Sequence, residues 1–207
     1  MVSFAGLIFA AGLSTRMGRT KALLPFGDNS LIVRQIKCFL GAGVEDIFIV
    51  TGHDAKNVEA EAGAYPVKIV YNTDYKLGMF SSVKAGLREV MRGGTRAVYL
   101  LPADCALVTP RILIALAKAY NEGEADIVYP CHHGRKGHPP LISSCLINSI
   151  MQYDGEGGVK AALSGLRGHA AFVESGAGCL FDIDTKKDYS KALKLLNIKK
   201  RPKALVN

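Results

Sequence analysis

The chain predicts an α/β fold: one doubly wound domain, with a mostly parallel central sheet and helices on both faces. Two observations carry that expectation. Apolar runs of strand length alternate with amphipathic stretches of helical period from one end to the other. Segments rich in glycine, proline and aspartate follow apolar runs, beyond the strand ends where such sheets place their ligands. A third observation argues for a single unit. The 207 residues, 49% hydrophobic and 21% charged, suffice for one large core, and no repeat, low-complexity tract or linker divides them. The expected domain is 1–198, followed by a basic tail, 199–207.

Strands are expected at 4–10, 46–51, 67–71, 97–101 and 126–129, with later ones near 140–143, 170–174 and 179–183. Each is a short apolar run bounded by turn-forming residues. Ser30 is placed to cap a helix whose Leu31, Ile32, Ile36, Phe39 and Leu40 share one face. Further helices fit 55–62, 80–91, 110–121, 159–166 and 187–196. Pro110 suits a first helical turn, with Thr109 as its cap.

Composition excludes several classes. No apolar run reaches the ~18–20 residues of a membrane span. The apolar N-terminus lacks a basic flank and runs straight into a polar loop, so it reads as a first strand and not as a secretion signal. From Lys186 onward eight basic residues face one acid, Asp188, which concentrates seven of the eight net positive charges at the C-terminus. The body is then nearly neutral, and no aromatics interleave with the basic residues, which argues against nucleic acid. The tail reads as a solvated helix end or, more sharply, as a docking segment for an acidic partner. The five cysteines are scattered, with no zinc or disulfide spacing, as in a protein of the reducing cytoplasm.

The richest stretch lies after the first strand: Ala10, Ala11, Gly12, Leu13, Ser14, Thr15, Arg16, Met17, Gly18, Arg19, Thr20 and Lys21. Small residues let backbone N–H groups approach an anion, and Arg16 and Lys21 put positive charge where a polyphosphate would lie. The spacing is not that of a Walker loop, because Arg19 and Thr20 separate Gly18 from Lys21. Gly41-Ala-Gly43 lacks the third glycine of the dinucleotide fingerprint and follows a helix.

Residues 10–21 instead resemble the signature of the MobA-like nucleotidyltransferases, L-A-[AG]-G-x-S-x-R-M-G-x-x-K. The resemblance implies a Rossmann-like nucleotidyltransferase domain and extends in order along nearly the whole chain. After the strand ending at Tyr71, the segment Asn72 to Ser82 is similar to the family's N-x-x-x-x-x-G-M-x-x-S. Gly78 permits a sharp turn there, and Ser81 and Ser82 lie near a helix start; Asn72, Gly78, Met79 and Ser82 become nucleotide contacts by resemblance. Judged alone, the segment fits a helix cap equally well.

Leu101-Pro-Ala-Asp104 puts a carboxylate directly after a strand, where Mg²⁺ shared with substrate phosphates would bind. In the family this is P-x-D-x-P with the aspartate as metal ligand; here Ala106 replaces the second proline, which leaves the loop's rigidity open. Gly134 to Ile142 is similar to the G-x-x-G-H-P stretch of the molybdopterin cytidylyltransferase branch, which implies acceptor binding by Gly137, His138 and Pro139. On its own a histidine before a proline is more often structural. Gly157, in Asp154-Gly-Glu-Gly-Gly158, matches a loop touching the acceptor, or simply enters a helix. Phe181 to Tyr189 resembles the closing D-x-D-T-x-x-D. Strand alternation would put Asp182 and Asp184 on one face, with Asp184 the favoured second metal ligand and Asp182 the alternative. Asp188 reads as helix N-terminal charge.

The resemblance implies transfer of a nucleotidyl group from an NTP to an acceptor phosphate, with Mg²⁺ as cofactor. Ala11-Gly12 matches the A-A-G form of the cytidylyltransferases, and G-H-P leans the same way. The expected substrates are therefore CTP and molybdopterin, the expected service a molybdenum hydroxylase, with neither nucleic acid nor membrane as partner. The rivals are a GTP-using or sugar- or polyol-phosphate enzyme of the same fold, and a non-enzymatic protein that delivers the cofactor.

Overall fold

The computed structural model describes residues 3–14, 17–166 and 169–197. In chain order the elements begin with β1 (Phe4–Phe9), the hairpin β2 (Pro25–Phe26) and β3 (Asn29–Ser30), and α1 (Leu31–Gly41). Then come β4 (Asp46–Thr51), α2 (Ala55–Ala62), β5 (Lys68–Tyr71), α3 (Met79–Arg92), β6 (Ala97–Pro102) and α4 (Pro110–Glu122). The second half adds β7 (Ile127–His132), β8 (Arg135–Lys136), β9 (Leu141–Ser143), α5 (Ile147–Gln152), α6 (Gly158–Ser164), β10 (Ala170–Glu174) and α7 (Lys186–Leu195).

Among the described residues the main sheet runs β10-β7-β9-β6-β1-β4-β5, with β8 paired to β7. β1 is parallel to both β4 and β6, β4 to β5, and β7 to β10. The short β9 is antiparallel to β6 and β7. The mostly parallel sheet is thus as expected, and the antiparallel insert is an addition. The carboxyl ends of β1, β4 and β6 lie side by side, which gathers the loops that follow them at one edge.

Alternation along the strands builds two cores. One face packs Ile8, Ile49 and Leu101 against α1, α2 and α4 through Ile36, Val58 and Leu116. The other packs Leu7, Val50 and Leu100 against α3, α5 and α6 through Leu87, Ile150 and Leu163. A third cluster joins Met17, Leu24, Phe26, Ala106 and Ile183 to Ala192 and Leu193 of α7. It seats the C-terminal helix under the loops after β1 and β6. Ser30 caps α1 by accepting from the Val33 N–H at 3.4 Å. Thr109 precedes α4 without a side-chain cap bond.

One expected strand does not form. Residues 179–183 are a 3-10 turn, Ala177–Leu180, followed by irregular chain. Their backbone groups bond to loops: the Cys179 carbonyl accepts from His138 N–H at 2.8 Å, and the Ile183 N–H donates to the Asp104 carbonyl at 3.1 Å. The alternation survives nonetheless, because Ile183 is buried between the exposed Asp182 and Asp184. Neither α5 nor the short β2, β3 and β8 was expected; each is too brief to stand out as a periodic run.

Candidate active site

The loop after β1 continues beside β4. Ala10 N–H donates to the Val50 carbonyl at 2.9 Å, and His53 N–H to that of Ala11 at 3.2 Å. Ser14 turns the chain at φ 51°, and its Oγ accepts from the Lys21 N–H at 3.0 Å, closing the loop onto a 3-10 turn, Lys21–Leu23. Thr20 Oγ1 donates to Asp54 Oδ2 at 2.5 Å and ties this turn to the start of α2. A Cβ on Gly12 would meet no protein atom within 4 Å, so internal packing does not demand glycine there.

A cleft of about 310 Å³ opens over these loops, lined by Ala10, Ala11, Gly12, Leu13, Lys21, Gly78, Met79, Ser82, Asp104 and Asp184. Ten of the residues singled out by sequence therefore share one wall. Lys21 stands at the centre of its charge: Nζ lies 2.7 Å from Asp104 Oδ2 and 2.7 Å from Asp184 Oδ1. Burial alone would lower the Lys21 pKa, but hydrogen bonds to the two carboxylates outweigh it and hold the ammonium above its ordinary value. Arg16 lies outside the described residues, as does the tail 199–207.

Asn72 sits behind the cleft. It is buried, and its amide donates to Ser81 Oγ at 2.9 Å and Ser82 Oγ at 3.0 Å, while its oxygen accepts from the Asp74 N–H at 3.0 Å. This bonding holds the turn before α3 and aims Ser82 at the cleft. Gly78, at φ 98°, occupies backbone space that L side chains rarely adopt. Tyr75 and Lys76 also line the cleft and escaped the sequence reading, having no motif position of their own.

Asp104, Cys105 and Asp182 offer donor atoms that all lie within 4.8 Å of one another. Cys105 Sγ is 3.1 Å from Asp182 Oδ1. Although Asp182 is exposed as a residue, crowding by neighbouring atoms strips water from its carboxyl and pushes it above its ordinary value; the Cys105 hydrogen bond opposes that rise and the Asp104 charge reinforces it. The two carboxylates of this set fit a divalent cation of the Mg²⁺ kind, which takes oxygen ligands, whereas the buried Cys105 stays a thiol and is no ligand for it. Asp182 stands in this cluster with Asp104, and Asp184 is joined to Asp104 through their shared partner Lys21.

Gly137, His138 and Pro139 do not line the cleft; they form a turn beside it, beyond β8. A Cβ on Gly137 would stand 2.4 Å from the Cys179 carbonyl oxygen, so this turn packs backbone to backbone on the 3-10 turn. The His138–Pro139 peptide is cis, and His138 lies close enough to Asp182 to act on its carboxyl. His138 Nδ1 is buried without a hydrogen-bond partner among the described residues. Gly157 is exposed at φ 70° as the N-cap of α6, also off the cleft wall.

Comparison with known proteins returns a match to the MobA-like NTP transferase domain over residues 6–171. Molybdenum cofactor cytidylyltransferase of Escherichia coli (strain K12) is 32% identical over 188 residues, 90% of this chain and 93% of that protein. Nicotine blue oxidoreductase of Paenarthrobacter nicotinovorans is 30% identical over 168 residues, 76% of this chain and 80% of that protein. The crystal structure of Rv0371c from Mycobacterium tuberculosis H37Rv superposes with a TM-score of 0.80 at 22% identity, covering 93% of this chain and 98% of that one. Its complex with manganese superposes with a TM-score of 0.73 at 21% identity over 93% and 98% of the two chains.

Proposed function

The chain belongs to the MobA-like NTP transferase family, and from that premise we propose that it transfers CMP from CTP to the phosphate of molybdopterin, releasing pyrophosphate. The observation that carries this reading is Lys21, held between Asp104 and Asp184 on the wall of a cleft bounded by the Ala10–Leu13 backbone. One lysine between two carboxylates is a stored cation and stored anions. Phosphates entering the cleft would draw the ammonium to themselves and free Asp104.

Asp104 and Asp182 would hold Mg²⁺, which supplies charge neutralisation at the phosphates when bound. The chain's own residues do the remainder. Backbone N–H groups of the 11–13 loop receive phosphate oxygens. Lys21, with Arg16, stabilises charge building on the leaving pyrophosphate. Ser82, aimed by Asn72, faces the nucleotide, and the Gly137-His138-Pro139 turn and Gly157 orient the acceptor. An acceptor phosphate with a second pKa of ~6 is already ionised at neutral pH and needs no strong base. The catalytic contribution is therefore positioning and electrostatics. A molybdenum hydroxylase is the proposed recipient of the product, and the cytoplasm its place; among the described residues no helix is long and apolar enough to cross a membrane.

The test is pyrophosphate release with each of the four NTPs, with and without molybdopterin, in Mg²⁺ or Mn²⁺. Release that needs both CTP and molybdopterin is expected. Release with GTP keeps the transfer and overturns the choice of base. Release with a sugar phosphate in place of molybdopterin overturns the acceptor. Absence of release with any pair leaves cofactor delivery as the surviving reading.

A further inference from the structure

The loop that carries Asp104 lacks the family's second proline, yet its carbonyls are pinned one after another. The Asp104 carbonyl accepts from the Ile183 N–H at 3.1 Å. The Cys105 carbonyl accepts from Gln35 Nε2 at 2.6 Å, and the Ala106 carbonyl from Arg34 Nε at 2.8 Å. Two of these donors are consecutive side chains of α1, an element otherwise devoted to the core. We infer that Gln35 is a positioning residue for the metal-binding carboxylate, doing through the Cys105 carbonyl what a ring does elsewhere in the family. The inference rests on the proposed role of Asp104.

Gln35 is fully buried, with Leu31, Ile32, Ile36 and Phe39 around it on the apolar side of α1. Its Oε1 has no hydrogen-bond partner among the described residues. A buried amide with one orphaned oxygen is a poor device for stability, since the unsatisfied acceptor is a net cost. An aliphatic side chain of the same length would remove that orphaned oxygen but leave the Cys105 carbonyl without its donor, so the amide gains nothing in stability over it. What only the amide provides is a donor to the peptide next to Asp104. A carboxylate that must meet a metal is sensitive to displacements of well under 1 Å, so restraining its peptide acts on metal binding directly.

Mn²⁺ binding followed by the electron paramagnetic resonance of free Mn²⁺ tests this on the whole protein without turnover. Gln35→Met is expected to weaken Mn²⁺ binding about tenfold, the worth of roughly one hydrogen bond, and to raise the metal KM while leaving the CTP KM within twofold. Its thermal midpoint should stay within a few degrees of the wild type, since one orphaned oxygen is exchanged for another. Gln35→Leu, which removes the Nε2 donor and brings no acid proton in its place, is the second variant if the first fails to fold. Metal binding within twofold of wild type in a folded variant overturns the inference, as does a loss that only tracks the thermal midpoint. Wild-type protein that binds no Mn²⁺, or binds it equally after Asp104→Asn, overturns the reading of the site instead.

Discussion

The Ile183 N–H donates to the Asp104 carbonyl at 3.1 Å, and that one backbone bond joins the two ends of the proposed metal site. Ile183 is buried against Ala106 and α7, so the aspartates on either side of it turn outward to Asp104 and Lys21. A hydrophobic anchor in the middle of an acidic pair thus fixes where both charges point.

Asp104→Asn should lower kcat on the order of 10²–10³-fold, the usual effect of removing one preorganised electrostatic group. Lys21 keeps its second partner, Asp184, so the thermal midpoint should hardly move. Pyrophosphate release and a melting curve on the same sample decide this, and an active variant with unchanged metal dependence would sink the assignment.

Lys21→Met should raise the CTP KM and lower kcat by roughly 10²-fold, because the leaving group loses its cation. The raised pKa of Lys21 adds a signature in alkali. A base whose folded pKa exceeds its ordinary 10.5 contributes stability that is whole below that value and lost as pH climbs through the raised one. Wild type should lose stability relative to Lys21→Met as pH climbs above 10.5 and through the raised value, read as urea midpoints. Parallel curves over that range would contradict the pairing.

Gly137→Ala should destabilise the protein by about 1–3 kcal/mol, the common cost of overpacking. The new methyl would stand 2.4 Å from the Cys179 carbonyl oxygen, which is backbone and has little room to yield. Displacing the turn should raise the acceptor KM more than the CTP KM. Urea unfolding and the two KM values check both halves.

One thiol of five should react quickly with a disulfide reagent at pH 8. Cys145 is exposed, whereas Cys38, Cys105, Cys131 and Cys179 are buried. Burial pushes the Cys38 thiol up to about 12 and Cys105 well above its ordinary value, so neither offers thiolate at that pH. Cys145→Ser should abolish the fast phase, and two fast equivalents in the native protein would refute this.

Most of the architecture was legible because it is written in local terms. The runs at 46–51 and 170–174 form strands at those bounds, and α1 starts at its Ser30 cap, because apolar period and capping chemistry act over a few residues. The run at 179–183 failed as a strand although its composition suited one. Nothing in it announces that His138 and Asp104 would take its hydrogen-bonding groups.

The sequence alone determined the fold class, the family and the order of the loops at the strand ends, since periodicity and a contiguous motif need no third dimension. Tertiary structure alone decided which charges meet. Lys21 lies 83 residues from Asp104 and 163 from Asp184 in the chain, and no spacing rule links them. It also decided that Gln35, a polar interruption on an apolar helix face, would answer the Cys105 carbonyl 70 residues on. Hydrogen bonds and ion pairs act over about 3 Å, so their partners exist only once the sheet has brought those loops to one edge.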